Sequence, residues 1–262
     1  MSNENQLIKR LRDHSLKGII FDFDGTLLDI REPLEKSIEE IFSEKGITAD
    51  METTIEEIGA LLETIQGNPL PKILLQSYDL FKYITALQNY TFLKKLRIAI
   101  KMFTRYLEYA KDASFFPGTK SLLENLNKNY DLYIVSHNQT KSVLEHLQKE
   151  DIEKYFKGIF GADMLPALKP SPDAFKPILE LYKEAKSRDF LMLGDMPTDI
   201  EAGQEAGFWT IGLTSGVSNK SVLAECGPSL LIDSLNDFME LVGMSKTKIS
   251  QPDTKKSLKI NP

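Results

Sequence analysis

Lys17-Gly18-Ile19-Ile20-Phe21-Asp22-Phe23-Asp24-Gly25-Thr26-Leu27-Leu28 is a short apolar run, rich in Ile and Phe, that is stopped by Asp-Gly-Thr. A run of this length without polar alternation reads as a strand buried on both faces, as in a parallel sheet. Two aspartates two residues apart on a strand point the same way. At the carboxyl end of a buried strand both emerge at the edge where open α/β sheets place their ligands. Gly25 permits a sharp turn and close backbone approach. Average composition yields Asp-x-Asp-Gly-Thr only about 0.003 times by chance in a chain of this length. An ordinary Asx turn, which Asp and Gly also favour, is therefore the poorer account.

The same texture returns at Leu132–Val135, Gly158–Phe160, Phe190–Leu193 and Thr210–Leu213, and weakly at Leu230–Ile232. Segments of helical period lie between these runs: Lys120–Asn129, Lys141–Glu150, Pro172–Ala185, Thr198–Ala206 and Ser234–Val242. Parallel strands need crossover helices, so this alternation predicts a doubly wound, Rossmann-like α/β sheet. Residues 31–113 break the rhythm, with helical periodicity nearly throughout and no convincing strand. Glu32–Lys45 ends at Gly46, a helix stop, while Pro69 and Pro71 punctuate the middle. The expected organisation is a discontinuous core (17–30 and 114–243) with an inserted all-helical cap (31–113) placed to cover the strand ends. Residues 1–16 form an N-terminal extension, either a short helix or frayed. Residues 244–262, polar and Lys-rich, read as a disordered tail.

Composition limits the function classes. The chain has 262 residues, 42% hydrophobic and 27% charged, the mixture of an ordinary globular protein. A net charge of −6 leaves no global basic footprint for nucleic acid or an anionic membrane. The apolar runs are strand-sized, far below a membrane span, and charges within the first seventeen residues leave no signal core. One cysteine, Cys226, excludes an internal disulfide, so a reducing, cytoplasmic setting is expected.

A second acidic signal is Gly194-Asp195-Met196-Pro197-Thr198-Asp199, again after an apolar run. Asp195 belongs at a strand tip and Asp199 one turn into the next helix, where the helix dipole alone would also favour a carboxylate. Acidic groups gathered from two strand ends repel unless a cation joins them. Hard oxygen ligands of this kind suit Mg²⁺, which keeps several waters and accepts a substrate phosphate. Ser136 follows the run Leu132–Val135, just before a helix start. It reads either as part of a phosphate cradle or as an ordinary N-cap. Lys169 opens Lys-Pro-Ser-Pro-Asp-Ala-Phe; it reads as a point cation for phosphate and carboxylates, or as a solvated lysine. The order of carboxylates, hydroxyl, lysine and carboxylates along the chain favours one shared site.

These motifs resemble those of the haloacid dehalogenase-like hydrolase superfamily, and most closely its phosphoglycolate phosphatase-like members with a helical cap. Asp22-Phe23-Asp24-Gly25-Thr26 matches the first motif, Ser136 the second, Lys169 the third, and Gly194-Asp195 with Asp199 the fourth. The resemblance runs from Lys17 to about Val242. It implies a Mg²⁺-dependent phosphatase acting on a small phosphorylated metabolite. Asp22 would be the nucleophile that forms an aspartyl-phosphate, and Asp24 the general acid/base. Mg²⁺ would be held by Asp22, the Asp24 carbonyl and Asp195, with Asp199 supporting, while Ser136 and Lys169 would hold the phosphoryl group. Asp24 argues against dehalogenase chemistry. A phosphomutase, or a non-catalytic regulator on the same fold, is the competing reading.

The chain departs from the family pattern in two places. His137 separates Ser136 from Asn138, which makes both candidate substrate contacts, and Met196-Pro197 replaces a small polar residue. On Lys94–Lys111, projection at 100° per residue puts Lys94, Arg97, Lys101 and Arg105 within an arc of about 80°. Leu96, Ile100, Phe103 and Leu107 fall opposite, expected to pack on the other cap helices. Arg97 and Lys101 are then candidate contacts for an anionic substrate, the alternative being a solvated face.

Overall fold

The computed structural model describes residues 2–65 and 84–245. Pro69, Pro71 and residues 246–262 of the expected tail lie outside them. The apolar runs form six strands: β1 Gly18–Phe21, β2 Asp131–Val135, β3 Phe156–Phe160, β4 Phe190–Gly194, β5 Trp209–Leu213 and β6 Leu230–Ile232. They make one parallel sheet in the order β3-β2-β1-β4-β5-β6. The chain order reverses at β1, whose register sets Phe21 level with Ile134 on one side and Leu193 on the other.

Strand period 2 divides the core between the two faces of the sheet. Ile19, Phe21, Leu132, Ile134, Leu191 and Leu193 join one cluster, with Leu122 and Phe238 from helices on that side. Ile20, Tyr133, Val135, Phe190 and Met192 join the other, with Phe175, Ile178 and Phe208. Both faces are therefore covered, which is why these runs lack polar alternation. The N-terminal residues take the helical alternative: Asn3–Arg12 is a helix whose Leu7 and Leu11 are wholly buried in the first cluster.

Three features differ from expectation. The helix expected over Pro172–Ala185 is a 3₁₀ turn, Pro172–Phe175, followed by a short helix, Lys176–Leu179, and then turns. Pro177 has no N–H, so a ladder begun at Pro172 cannot run through it. A helix at Lys220–Glu225 was not anticipated; Asn219 Oδ1 caps it by accepting from the Val222 amide at 3.0 Å. The third concerns the helix Phe92–Ala110. Its buried side is the row Ile98, Met102 and Tyr106, packed along helix Arg31–Lys45. Ile100 and Leu107, expected to be packed, are 54% and 47% exposed, while Leu96 and Phe103 are half-buried. A four-residue ridge seats one helix against another, and here that ridge is the 98–102–106 row. Arg105 reaches Glu40 at 3.0 Å across the seam and Lys101 pairs with Glu44. Such exposed pairs contribute about 0–1 kcal/mol, so they fix the rotation of the helix less than its apolar ridge does.

The chain leaves and re-enters the sheet side by side. Asp29 N donates to Ser114 O (2.8 Å), and Phe116 N donates to Leu27 O (2.9 Å). Everything between is helix, 3₁₀ turn or loop among the described residues.

Candidate active site

The reversal of strand order makes a crevice at the carboxyl ends of β1 and β4, where the two acidic motifs meet. Asp22 continues β1 by one residue, its amide donating to Leu193 O at 2.9 Å. Asp195 follows β4, and Asp199 lies in the first turn of helix Pro197–Glu205, accepting the Met196 amide at 3.0 Å. Carboxylate oxygens of Asp22, Asp195 and Asp199 lie within 4.8 Å of one another. All three residues are buried. Lys169, equally buried, donates from Nζ to Asp22 Oδ1 at 2.6 Å and to Asp199 Oδ1.

Backbone and hydroxyl donors complete the cluster. Thr26 Oγ1 donates to Asp195 Oδ1 at 3.0 Å, and the Val217 amide donates to Asp195 Oδ2 at 2.9 Å. Two glycines wall the Asp195 carboxylate. A Cβ at Gly25 would stand 2.3 Å from Asp195 Oδ2, and one at Gly216 2.1 Å from the same atom. Gly25 also holds φ at +80°, where other residues are strained.

The charge balance shows what the site is short of. Among the described residues three carboxylates face one ammonium, so full ionisation leaves two negative charges uncompensated in a buried place. Burial, opposed by Lys169 and reinforced by Asp199, raises the Asp22 pKa from 3.8 to about 7. Burial, with the charges of Asp22 and Asp199, holds Asp195 well above the ordinary carboxylate range. For Lys169, burial alone would lower the pKa, but the charges of Asp199 and Asp22 outweigh it and raise it. A divalent cation on three oxygen donors would supply the missing positive charge, so the residues fit such an ion.

Asp24 lies beside this cluster, close enough for its charge to act on Asp22. Its carboxylate accepts from Asn138 Nδ2 at 3.2 Å. Burial raises its pKa to about 6, against the lowering influences of the Asn138 hydrogen bond, His146 and Lys169. Ser136 follows β2, its amide donating to Phe160 O, and its buried Oγ accepts from the Asn138 amide at 3.0 Å. Asn138 Nδ2, expected as a substrate contact, donates to Asp24, and Lys101, expected to meet an anionic substrate, pairs with Glu44. His137 is buried between Ser136 and Asn138, and Arg97 is exposed on its helix.

Residues that the sequence did not single out include Thr26, Val217, Gly216 and His146. Thr26 stood in the motif and was readable. Val217 and Gly216 act through backbone, which leaves no side-chain signature. His146 bonds the carbonyls of Ser142 (3.0 Å) and Ala110 (2.9 Å), with its ring edge-on to Phe23.

The haloacid dehalogenase-like hydrolase family model matches residues 19–213. A phosphoglycolate phosphatase of Vibrio parahaemolyticus is 29% identical over 238 residues, covering 90% of this chain and 100% of its own. One from Salmonella choleraesuis is 28% identical over 239 residues, covering 88% and 94%. Among solved structures, a predicted phosphoglycolate phosphatase from Haemophilus somnus superposes with a TM-score of 0.65 at 24% identity, covering 87% and 98% of the two chains. A hydrolase from Bacillus subtilis solved with bound magnesium gives 0.62 at 19% identity, covering 87% and 99%. These likenesses establish a shared fold.

Proposed function

Since this chain belongs to the haloacid dehalogenase-like hydrolase family, we propose that it hydrolyses a small phosphate monoester with Mg²⁺, through an aspartyl-phosphate on Asp22. The observation that carries this reading is the buried group Asp22, Asp195, Asp199 and Lys169 at two adjacent strand ends, with Asp24 close by. The phosphoglycolate phosphatase relatives support the substrate class, a small phosphorylated acid. Residues 31–113 are read as the cap over a core of 17–30 and 114–243. Among the described residues no helix is long and apolar enough to cross a membrane. The single cysteine, Cys226, supports a cytoplasmic setting.

In the first step an Asp22 carboxylate oxygen bonds to phosphorus while the bond from phosphorus to the ester oxygen breaks. Protonated Asp24 gives its proton to the departing oxygen. Lys169 holds Asp22 and faces the transferring oxygens, with Ser136 on the neighbouring strand end as a further phosphate donor. In the second step water attacks the aspartyl-phosphate and ionised Asp24 takes its proton. The Asp22–phosphorus bond then breaks, releasing inorganic phosphate. A divalent cation on Asp22, the Asp24 carbonyl, Asp195 and Asp199 would mask phosphate charge against the attacking carboxylate. A carboxyl with a pKa near 6 exists in both forms around neutral pH, as an acid that must also be a base requires.

Phosphate release from a panel of phosphorylated metabolites, phosphoglycolate included, is the direct test. Chelation should stop it reversibly, Mg²⁺ should restore it, and Ca²⁺ should inhibit because its looser shell misplaces the nucleophile. Full turnover in chelator would overturn the mechanism. For Asp24→Asn we expect a burst from an aryl phosphate, whose leaving group needs no proton, and no steady turnover. Unchanged steady-state turnover would remove the acid/base role.

A further inference from the structure

Between β5 and helix Lys220–Glu225 runs the loop Thr214-Ser215-Gly216-Val217-Ser218-Asn219. Its inner side lies on the second acidic motif. The Val217 amide holds Asp195 Oδ2 at 2.9 Å, Gly216 leaves no room for a Cβ beside that oxygen, and Ser218 Oγ donates to Met196 Sδ at 2.9 Å. Its outer side lies on the inserted helices Arg31–Lys45 and Met51–Ile65. Asn219 Nδ2 donates to Glu56 Oε2 at 3.1 Å. Arg31 reaches both Gly216 O (3.4 Å) and Glu52 Oε1 (2.6 Å). At Gly59 the approach leaves no room for a side chain. A Cβ there would stand 1.7 Å from Val217 Cγ1 and 3.1 Å from Val217 Cβ. Glycine weakens a helix interior, so a mid-helix glycine calls for a contact that excludes a side chain. The Val217 isopropyl group is that contact, and it is buried.

One residue thus touches both the acidic cluster and helix Met51–Ile65: its side chain seats on Gly59 while its amide orients the Asp195 carboxylate. We infer that Val217 is a positioning residue that couples the docking of helix Met51–Ile65 to the orientation of the Asp195 carboxylate, and so to divalent-cation affinity. This rests on the proposed metal site. The coupling is reciprocal: what steadies Asp195 also favours the docked helix, and displacing the helix loosens Asp195.

The test is a steric cycle. Gly59→Ala places a methyl against Val217. In the double variant Gly59→Ala/Val217→Ala the 1.7 Å clash is gone, and the nearest remaining Val217 atom is Cβ at 3.1 Å. Every backbone amide survives in both. Calorimetric Mg²⁺ titration without substrate should find Gly59→Ala weakened by about tenfold, the usual size for a group supporting a metal ligand. The double variant should return towards wild type. Gly59→Ala binding as tightly as wild type, or a double variant as weak as the single one, would overturn the inference. Should Gly59→Ala not fold, hydrogen exchange of wild type decides. Amides of Met51–Ile65 should exchange more slowly once Mg²⁺ is added, and unchanged exchange would overturn the coupling. Absence of any wild-type Mg²⁺ binding would instead sink the metal reading beneath it.

Discussion

Asp22→Asn is expected to abolish phosphate release while leaving a folded protein that, without metal, is more stable than wild type at pH 8. The substitution is nearly isosteric and removes the attacking oxyanion, so turnover should fall by a factor on the order of 10⁵–10⁶, as when other covalent nucleophiles are deleted. The stability gain follows from the charge balance. A carboxyl whose folded pKa is raised from 3.8 to about 7 contributes stability that is complete below about pH 4 and lost as pH rises through 7. Wild type without metal therefore carries that cost at pH 8, and the asparagine does not. The difference in Tm between the two should narrow as pH falls towards 5. Adding Mg²⁺ should stabilise wild type more than the variant, because one of the three carboxylates is gone. Residual activity near the wild-type rate would exclude Asp22 as nucleophile. A lower Tm for the variant in chelator at pH 8 would contradict the electrostatic account.

Lys169→Met should damage both stability and rate, for one reason. The ammonium is buried between Asp22 and Asp199 and is the cation that directly bonds both. Deleting one partner of a buried ion pair leaves charge without compensation, at a cost of about 3–5 kcal/mol. In a chain of this size each kcal/mol is worth about 2–4 °C in Tm. The loss should be greatest at high pH in chelator. It should shrink at lower pH, where Asp22 is protonated, and shrink again with Mg²⁺, which replaces part of the missing charge. Turnover with Mg²⁺ present should still be reduced by about 10²–10³, the size expected for one donor to developing phosphoryl charge. A variant as stable as wild type across this range would mean that the cluster is solvated enough not to need the lysine.

Much of this molecule was readable from residue order. Short, mostly apolar runs marked all six strands, because strands covered on both faces favour apolar side chains. Asp22, Asp195, Asp199 and Lys169 were each named from a motif at a strand end or loop, and the sheet order brings their side chains together. The boundaries that shifted did so locally, as where Pro177 broke an expected helix in two.

What residue order left open was decided by which elements came to lie side by side. The rotation of helix Phe92–Ala110 depended on the ridge that its neighbour Arg31–Lys45 could accept. Periodicity measures only the width of an apolar arc, so it could not tell that Ile98, Met102 and Tyr106 would be buried, Ile100 and Leu107 exposed, and Lys101 turned to Glu44. The partners of Asp24 and Asp195 were equally hidden. Asn138 lies 114 residues from Asp24, and the Val217 amide 22 from Asp195. An amide N–H is common to every residue but proline, so only the tertiary path of the loop decides which one meets a carboxylate. Side-chain chemistry was thus fixed by the order of residues, whereas the donors and packing that orient it arose from contacts between segments distant in the chain.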